Sequence, residues 1–276
     1  MKSIKEIIEL STQYFEKHGV ESARVEAEWL ISHALDMRRM DLYMNFDKPL
    51  PEDDLGRIRA LIGRRAKSEP VQYICGSTEF YSIPINVGPG VLIPRPETEL
   101  LVDEALKSCS EDDEVLDLCT GSGAIAISLA KNKKLKITAT DISQEALRYA
   151  RENTSLNEAD IEILEGNLFE PVFGRKFHLI CSNPPYVKNS EAAGMGPEVL
   201  KNEPHLALFA GDDGLDVMKL IAAQGKDFLY PGGKIICELG AEQGNDCKSL
   251  FESFGWANVE ILKDYSQRDR FVKALS

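Results

Sequence analysis

The sequence has no long hydrophobic run, and this excludes whole classes of protein. No stretch of the 276 residues approaches the ~18–20 consecutive apolar side chains that cross a bilayer. The opening residues, Met1 to Glu6, are rich in charge and form no apolar segment of signal-peptide length. We therefore expect a cytoplasmic protein with no membrane partner.

Cysteine and histidine are few, and their spacing is not that of metal ligands. The six cysteines form no Cys-x-x-Cys pair, and the four histidines are neither four residues apart nor close to cysteines at zinc spacing. This predicts reduced cysteines that mostly behave as small buried hydrophobic residues. It also predicts no structural metal.

Basic residues are outnumbered by acidic ones, 32 against 45, which gives a formal net charge of −13. Such a balance disfavours a protein whose affinity comes mainly from neutralising the phosphates of a long nucleic acid. The first 75 residues hold 12 basic and 13 acidic side chains, so the excess acidity belongs to the rest of the chain. The basic cluster Arg57–Lys67 is interpreted as a solvated helix face or as a docking surface for an acidic partner.

The first part of the chain has helical periodicity. Apolar residues recur every three or four positions in three segments of residues 1–70, which predicts a small helical bundle. In residues 71–93 the pattern changes to two short β-like runs, Val71–Ile74 and Ile83–Val87, separated by turn residues. These runs predict a β-hairpin connector.

In residues 94–276, short apolar runs alternate with helical segments. The predicted strands are 115–118, 137–140, 161–164, 179–182, 235–238 and 259–262, and the predicted helices are 122–131, 143–153, 214–229 and 243–254. Regular alternation of strand and helix predicts an α/β fold with a mostly parallel, doubly wound sheet.

A turn containing two glycines follows the first of these strands. Gly121 and Gly123 allow the backbone to turn sharply and to bring its N–H groups close to a ligand. Asp141 ends the second strand, where a carboxylate accepts hydrogen bonds from both hydroxyls of a ribose. The pattern predicts a nucleotide-type cofactor, but does not by itself separate a nicotinamide dinucleotide from S-adenosylmethionine.

The fourth strand runs into Asn183-Pro184-Pro185-Tyr186, at the edge of the sheet where such folds bind ligands. The two prolines fix their φ angles and remove two N–H donors. The Asn183 amide and the neighbouring carbonyls then form a rigid acceptor surface, with Tyr186 as a flat wall. This surface suits a planar –NH2 group whose nitrogen faces a methyl donor, which favours S-adenosylmethionine.

These motifs together resemble the class I, Rossmann-like methyltransferases that modify amide or exocyclic nitrogens. The chain is most similar to the HemK/PrmC family, the protein-(glutamine-N5) methyltransferases of peptide chain release factors. The resemblance covers the chain almost end to end, including the helical N-terminal part. It extends through Gln72–Gly76, Leu92–Val102 and Glu203–Leu215.

The resemblance implies transfer of a methyl group from S-adenosylmethionine to the side-chain amide nitrogen of the glutamine in the Gly-Gly-Gln motif of a release factor. The implied catalytic and substrate-binding residues are Asn183, Pro184, Pro185 and Tyr186. The implied cofactor-binding residues are Cys119, Thr120, Gly121, Ser122, Gly123, Asp141, Asn167, Leu168 and Asn183. Two of them depart from the family pattern: Asn167 stands where Asp is frequent, and Leu168 where some relatives have an aromatic residue.

The implied organisation is a helical substrate-docking domain at 1–70, a hairpin linker at 71–93 and a methyltransferase domain at 94–276, acting as a monomer. Glu97 and Glu99 are placed at the rim of the active site. They are open to interpretation as general bases, as ion-pair partners of Arg95, or as acidic residues at a helix start after Pro96.

Two other functions remain open. The first is a DNA or RNA amino-methyltransferase, because adenine N6 and guanine N2 present the same –NH2 geometry to an enzyme after base flipping, although the acidic charge of the chain disfavours it. The other is a non-catalytic scaffold that senses S-adenosylmethionine, which the intact Asn183–Tyr186 motif disfavours.

Overall fold

The computed structural model describes residues 2–276, which form two compact units. The first, a helical unit, reaches Ser77 and also takes in Gly196–Asn202, whereas the second comprises Thr78–Met195 and Glu203–Ser276. No helix within residues 2–276 is long and apolar enough to cross a membrane.

The helical unit is built on amphipathic helices around one apolar core. Its helices are α1 (Ile4–Lys17), α2 (Ala23–Ala34), α3 (Arg39–Met44), α4 (Glu52–Arg65), α5 (Val71–Cys75) and, from the inserted segment, α9 (Pro197–Asn202). Ser3 and Glu6 cap α1 reciprocally, and Phe15 and Leu30 are fully buried in the core. The predicted helical bundle is confirmed.

The strand predicted at Val71–Ile74 is wrong, because this segment forms α5. Pro70 precedes the helix with a φ of −58°, and Gly76 ends it in the left-handed region at 77°. A run of only four apolar residues does not distinguish a strand from a buried helical turn. The hairpin itself is formed by β1 (Ser77–Phe80) and β2 (Ile83–Asn86).

The basic cluster on α4 is largely paired within the helical unit. Exposed ion pairs join Arg57 to Asp54, Arg59 to Glu52 and Arg64 to Glu69. Arg65 is buried and pairs with both Glu26 and Glu198, so it links the body of the helical unit to α9. These acidic partners offset much of the positive charge that a nucleic acid would need.

The second unit is an α/β domain with a seven-stranded sheet. Its strands are β3 (Glu114–Leu118), β4 (Lys136–Asp141), β5 (Ile161–Glu165), β6 (Phe177–Ser182), β7 (Leu229–Glu238), β8 (Ala257–Lys263) and β9 (Asp269–Leu275). The order is β5-β4-β3-β6-β7-β9-β8, and only β9 runs antiparallel to its neighbours. Its helices are α6 (Glu99–Ser108), α7 (Ala124–Asn132), α8 (Gln144–Leu156), α10 (Asp216–Gln224) and α11 (Gly244–Ser253).

The predicted mostly parallel sheet and all six predicted strands are confirmed. Strand β9 was not predicted, because Arg270 and Lys273 interrupt its apolar pattern; only Phe271, Val272 and Ala274 are buried in it. The six cysteines are all free within residues 2–276, and Cys109, Cys181, Cys237 and Cys247 are buried, as expected for small hydrophobic residues.

Candidate active site

The carboxyl ends of β3 and β6 open onto a cleft with a cavity volume of about 200 Å³. After β3 the chain adds strands on one side of the sheet, and with β6 it moves to the other side, so the cleft lies at the topological switch point. The register pairs Leu118 with Ser182. Because both strands run in the same direction, Cys119 and Asn183 begin their loops side by side.

The cleft is lined by most of the residues that the sequence indicated. These are Cys119, Thr120, Gly121, Ser122, Asp141, Asn167, Leu168, Asn183 and Pro185. The side chains of Pro184 and Tyr186 and the residue Gly123 are not part of this lining; Gly123 and Pro184 are buried.

The two glycines of the first loop have different roles. Both have positive φ angles, 58° at Gly121 and 81° at Gly123. A Cβ at Gly121 would meet no atom within 4 Å, whereas one at Gly123 would lie 3.3 Å from Ile127 and 3.4 Å from Ala150. Gly121 therefore leaves open space on the ligand side of the loop, and Gly123 allows α7 to pack closely against α8.

Asp141 ties the end of β4 to the glycine loop. Its Oδ2 accepts from the Gly121 N–H and its Oδ1 from the Ser143 N–H, both at 2.9 Å. Burial raises the pKa of this carboxyl, and these backbone donors act in the opposite direction. Each oxygen keeps acceptor capacity for a ribose hydroxyl. The sequence predicted the ribose contact but not the backbone contacts that orient the carboxylate.

The remaining walls fit S-adenosylmethionine. Leu168 is buried, and Ile142 and Ala146 add apolar surface, so an adenine ring would lie against aliphatic side chains. Asn167 at the edge of the cleft is exposed and carries an amide oxygen that can accept from the adenine amino group. Carboxylate, open glycine loop and apolar wall together match the chemical parts of the cofactor.

Asp117 lies in β3, just before the loop that lines the cleft, and is fully buried. The Thr120 hydroxyl donates to its Oδ2 at 2.6 Å. Burial raises the pKa of Asp117 to about 7, although the Thr120 hydrogen bond lowers it, and the nearby Asp141 charge adds to the rise. The folded protein thus holds this proton at pH values where the unfolded chain has lost it.

This proton makes the unfolding free energy depend on pH. Because the folded pKa lies above the unfolded value of 3.8, stability falls as pH rises from about 4 to about 7, by up to about 1.4 kcal/mol per pH unit. Asp117→Asn removes this contribution. We expect denaturant unfolding between pH 5 and 8 to show that the unfolding free energy of the variant rises relative to that of the wild type up to about pH 7. Above this pH the difference should stay constant. A difference independent of pH would contradict the assignment.

Asn183 is held by residues that the sequence analysis did not assign to the site. Its Nδ2 donates to Thr98 Oγ1 at 3.2 Å, and that hydroxyl donates to Glu238 Oε2 at 2.7 Å. The Tyr186 hydroxyl donates to Glu238 Oε1 at 3.1 Å. Burial raises the pKa of Tyr186, so it remains a neutral donor. Tyr186 is thus anchored through its hydroxyl to Glu238.

The backbone after the two prolines is also held. Gln243 Nε2 donates to the Tyr186 carbonyl at 2.9 Å, while its Oε1 accepts from the Gly240 N–H at 2.8 Å. Gly214 has a φ of 72°, and a Cβ there would lie 2.4 Å from the same Tyr186 carbonyl. The motif therefore keeps its shape through contacts from two distant loops as well as through its prolines.

In the segment Arg95–Glu99, one of the three interpretations drawn from the sequence does not agree with the structure. Arg95 Nη2 pairs with Glu203 Oε1 at 2.6 Å, so the predicted ion pair with Glu97 or Glu99 is wrong. Glu99 Oε1 instead accepts from the Tyr81 N–H at 2.8 Å. The helix-start interpretation is confirmed, because Pro96 begins a 3₁₀ turn that leads directly into α6. The neighbouring acidic residues suggested a local partner for Arg95, whereas its actual partner, Glu203, is 108 residues away in the sequence.

Comparison with known families divides the chain in a similar way. The PrmC N-terminal domain matches residues 6–76, and the methyltransferase small domain matches residues 96–211. A release factor glutamine methyltransferase of Geobacter sulfurreducens is 40% identical over 271 residues, covering 98% of this chain and 95% of its own. A release factor glutamine methyltransferase of Leptospira interrogans is 39% identical, covering 98% and 97% respectively.

Solved structures support the fold. A methyltransferase from Pyrococcus furiosus has a TM-score of 0.55 at 22% identity, covering 71% of this chain and 90% of its own. The 16S rRNA N2 G1207 methyltransferase of T. thermophilus also has a TM-score of 0.55, at 18% identity, covering 72% of this chain and 49% of its own. These structural likenesses show only the fold of a class I methyltransferase. The relatives that match over nearly the full length of the chain show its family. This chain belongs to the release factor glutamine methyltransferase family.

Proposed function

We propose that this protein transfers the methyl group of S-adenosylmethionine to the side-chain amide nitrogen of the Gly-Gly-Gln glutamine in a peptide chain release factor. The observation that carries the proposal is the orientation of the Asn183 side-chain amide, which lines the cleft. Its Nδ2 is engaged by Thr98, which leaves Oδ1 as an acceptor for a ligand –NH2 group. The names of the full-length relatives support a release-factor glutamine as that ligand.

The chemistry requires orientation more than proton removal. An amide nitrogen is a weak nucleophile, because its lone pair is delocalised into the carbonyl. The Asn183 Oδ1 and the Pro184 carbonyl accept its two hydrogens and stabilise positive charge that develops on nitrogen, while Pro185 and Tyr186 keep the acceptors rigid. Positioning of this kind contributes several kcal/mol.

S-adenosylmethionine supplies a methyl group on a positively charged sulfur. The nitrogen–carbon bond forms as the carbon–sulfur bond breaks, and the nitrogen then releases one proton to solvent. No ionised general base is required. Cys119, Thr120, Gly121, Ser122, Asp141, Asn167 and Leu168 would hold the cofactor, and Asn183 would contact both cofactor and substrate. Gly123 would support their loop through the packing of α7 against α8. Burial raises the pKa of the Cys119 thiol, so it stays neutral beside the cofactor.

Residues 1–70 serve as the docking domain, residues 71–93, which contain α5 and the β1–β2 hairpin, as linker, and residues 94–276 as the methyltransferase domain. Helix α3 supports docking of a protein, because Met40 and Met44 are 70% and 74% exposed and offer flexible apolar contacts. The ion pairs of Arg57, Arg59 and Arg64 argue against a nucleic-acid partner. We place the enzyme in the cytoplasm and expect it to act as a monomer.

The proposal is tested by supplying methyl-labelled S-adenosylmethionine with purified release factors, ribosomal RNA, transfer RNA or DNA in separate reactions. We expect label in the release factor alone. Label in a nucleic acid would favour an amino-methyltransferase of bases. Absence of transfer by a protein that still binds S-adenosylhomocysteine would favour a non-catalytic sensor, and either result would overturn the proposal.

A further inference from the structure

We infer that Thr98 and Glu238 are positioning residues that set which end of the Asn183 amide faces the substrate. The inference rests on the proposed function, since it assumes that Asn183 binds the glutamine –NH2 group. An asparagine amide has a carbonyl oxygen at one end and an –NH2 group of similar size at the other. If the Asn183 amide flipped by 180°, its –NH2 group would face the –NH2 group of the substrate, and the substrate amide would lose a hydrogen-bond acceptor.

The orientation of the Asn183 amide follows from which groups have a proton to donate. The hydroxyls of Thr98 and Tyr186 both donate to the Glu238 carboxylate, which accepts one hydrogen bond at each of its two oxygens. Thr98 has one hydroxyl proton, and Glu238 takes it. Oγ1 of Thr98 is then only an acceptor toward Asn183, which must present Nδ2 on that side and Oδ1 on the other.

The surroundings make this chain of hydrogen bonds hard to replace with water. Thr98 is 3% exposed and Glu238 is 1% exposed. Burial raises the pKa of the Glu238 carboxyl, and hydrogen bonds from Thr98 and Tyr186 and the charge of Arg270 act in the opposite direction, while Glu97 adds to the rise. A buried polar network with every member satisfied holds a single arrangement.

Three parts of the chain bring the network together. Strands β6 and β7 are parallel neighbours with Ser182 opposite Cys237, so the next residues, Asn183 just after β6 and Glu238 at the end of β7, lie side by side. Thr98 comes from the turn at the start of α6. The sheet register therefore places the carboxylate, and the turn inserts the hydroxyl between it and the asparagine.

Thr98→Val tests the inference, because valine has nearly the same shape and no hydroxyl. We expect kcat for release-factor methylation to fall about 10- to 100-fold, as when an oriented active-site group loses its supporting hydrogen bond. The affinity for S-adenosylhomocysteine, measured by calorimetry, should stay within about twofold of the wild type, since Thr98 acts on the substrate side. Thr98→Ser keeps the hydroxyl and should recover most of the turnover.

Thr138→Val is the matched control. Thr138 is also 3% exposed and also donates to a glutamate, Glu162, at 3.1 Å, but it lies on β4 outside the lining of the cleft. We expect its kcat to remain at the wild-type level. If Thr98→Val does not fold, Thr98→Ala removes the same hydroxyl without the branched side chain and is subject to the same comparison with Thr98→Ser.

A double-mutant cycle separates positioning from general structural support. In the Asn183→Ala background, Thr98→Val should change single-turnover rates by less than about twofold, because Thr98 acts through Asn183. Multiplication of the two losses would overturn the inference, as would wild-type turnover in Thr98→Val. Neither result would contradict the methylation of release factors. Absence of methyl transfer by the wild-type enzyme would instead contradict the proposed function itself.

Discussion

Asn183→Ala is expected to lower kcat for release-factor methylation about 100- to 1000-fold, the range found when a donor or acceptor aimed at developing charge is removed. The substitution deletes the Oδ1 acceptor, so the substrate amide loses one of the two hydrogen bonds that orient its nitrogen toward the methyl group. The adenosine contacts come from other residues, so the affinity for S-adenosylhomocysteine should stay within about twofold of the wild type. Rates with labelled cofactor and calorimetric binding measure the two effects separately.

Asn189→Ala is the control for this change. Asn189 follows the same motif, is exposed, and donates to Asp212 at 3.1 Å, so its replacement should leave kcat unchanged. Turnover of Asn183→Ala within about twofold of the wild type would contradict the role of Asn183 as the acceptor. A parallel loss of cofactor affinity and turnover would instead make Asn183 mainly a cofactor ligand.

Gly214→Ala is expected to reduce both stability and turnover. The backbone at Gly214 has a φ of 72°, and the new Cβ would lie 2.4 Å from the Tyr186 carbonyl and 2.6 Å from Gln243 Nε2. Left-handed backbone costs an L-residue about 1–2 kcal/mol, and the overlap adds about 1–3 kcal/mol. Because the displaced carbonyl belongs to the catalytic motif, kcat should fall as well.

Gly174→Ala separates the two causes. Gly174 has a similar φ, 79°, but a Cβ there would meet nothing within 4 Å. It should show only the backbone cost in denaturant unfolding and full turnover. Equal stability and equal turnover in the two variants would contradict the close approach of Gly214 to the motif.

The central features of the site could be predicted from sequence because they follow strand ends. Gly121 lies in the turn after one short strand-like run and Asp141 directly follows the next, and in a parallel sheet the carboxyl ends of such runs meet at one edge. Asn183 follows the fourth run in the same way. All three line one cleft, which local patterns and the rules of α/β topology were sufficient to anticipate.

The supporting residues could not be predicted in this way. Thr98 and Glu238 are 140 residues apart, and only the strand order and the turn before α6 bring them to Asn183. Arg95 likewise finds Glu203 rather than a neighbouring acid. Local periodicity carries no information on such long-range pairs, and it also fails for short segments such as Val71–Cys75, whose conformation depends on flanking Pro70 and Gly76.

The most direct test of the account is mass spectrometry of a release factor after incubation with the enzyme and S-adenosylmethionine. We expect fragmentation of the peptide containing the Gly-Gly-Gln motif to place one added methyl group on the glutamine side chain. With Asn183→Ala, this peptide should remain largely unmodified under the same conditions. A methyl group on another residue, or an unmodified peptide with the wild-type enzyme, would contradict the account.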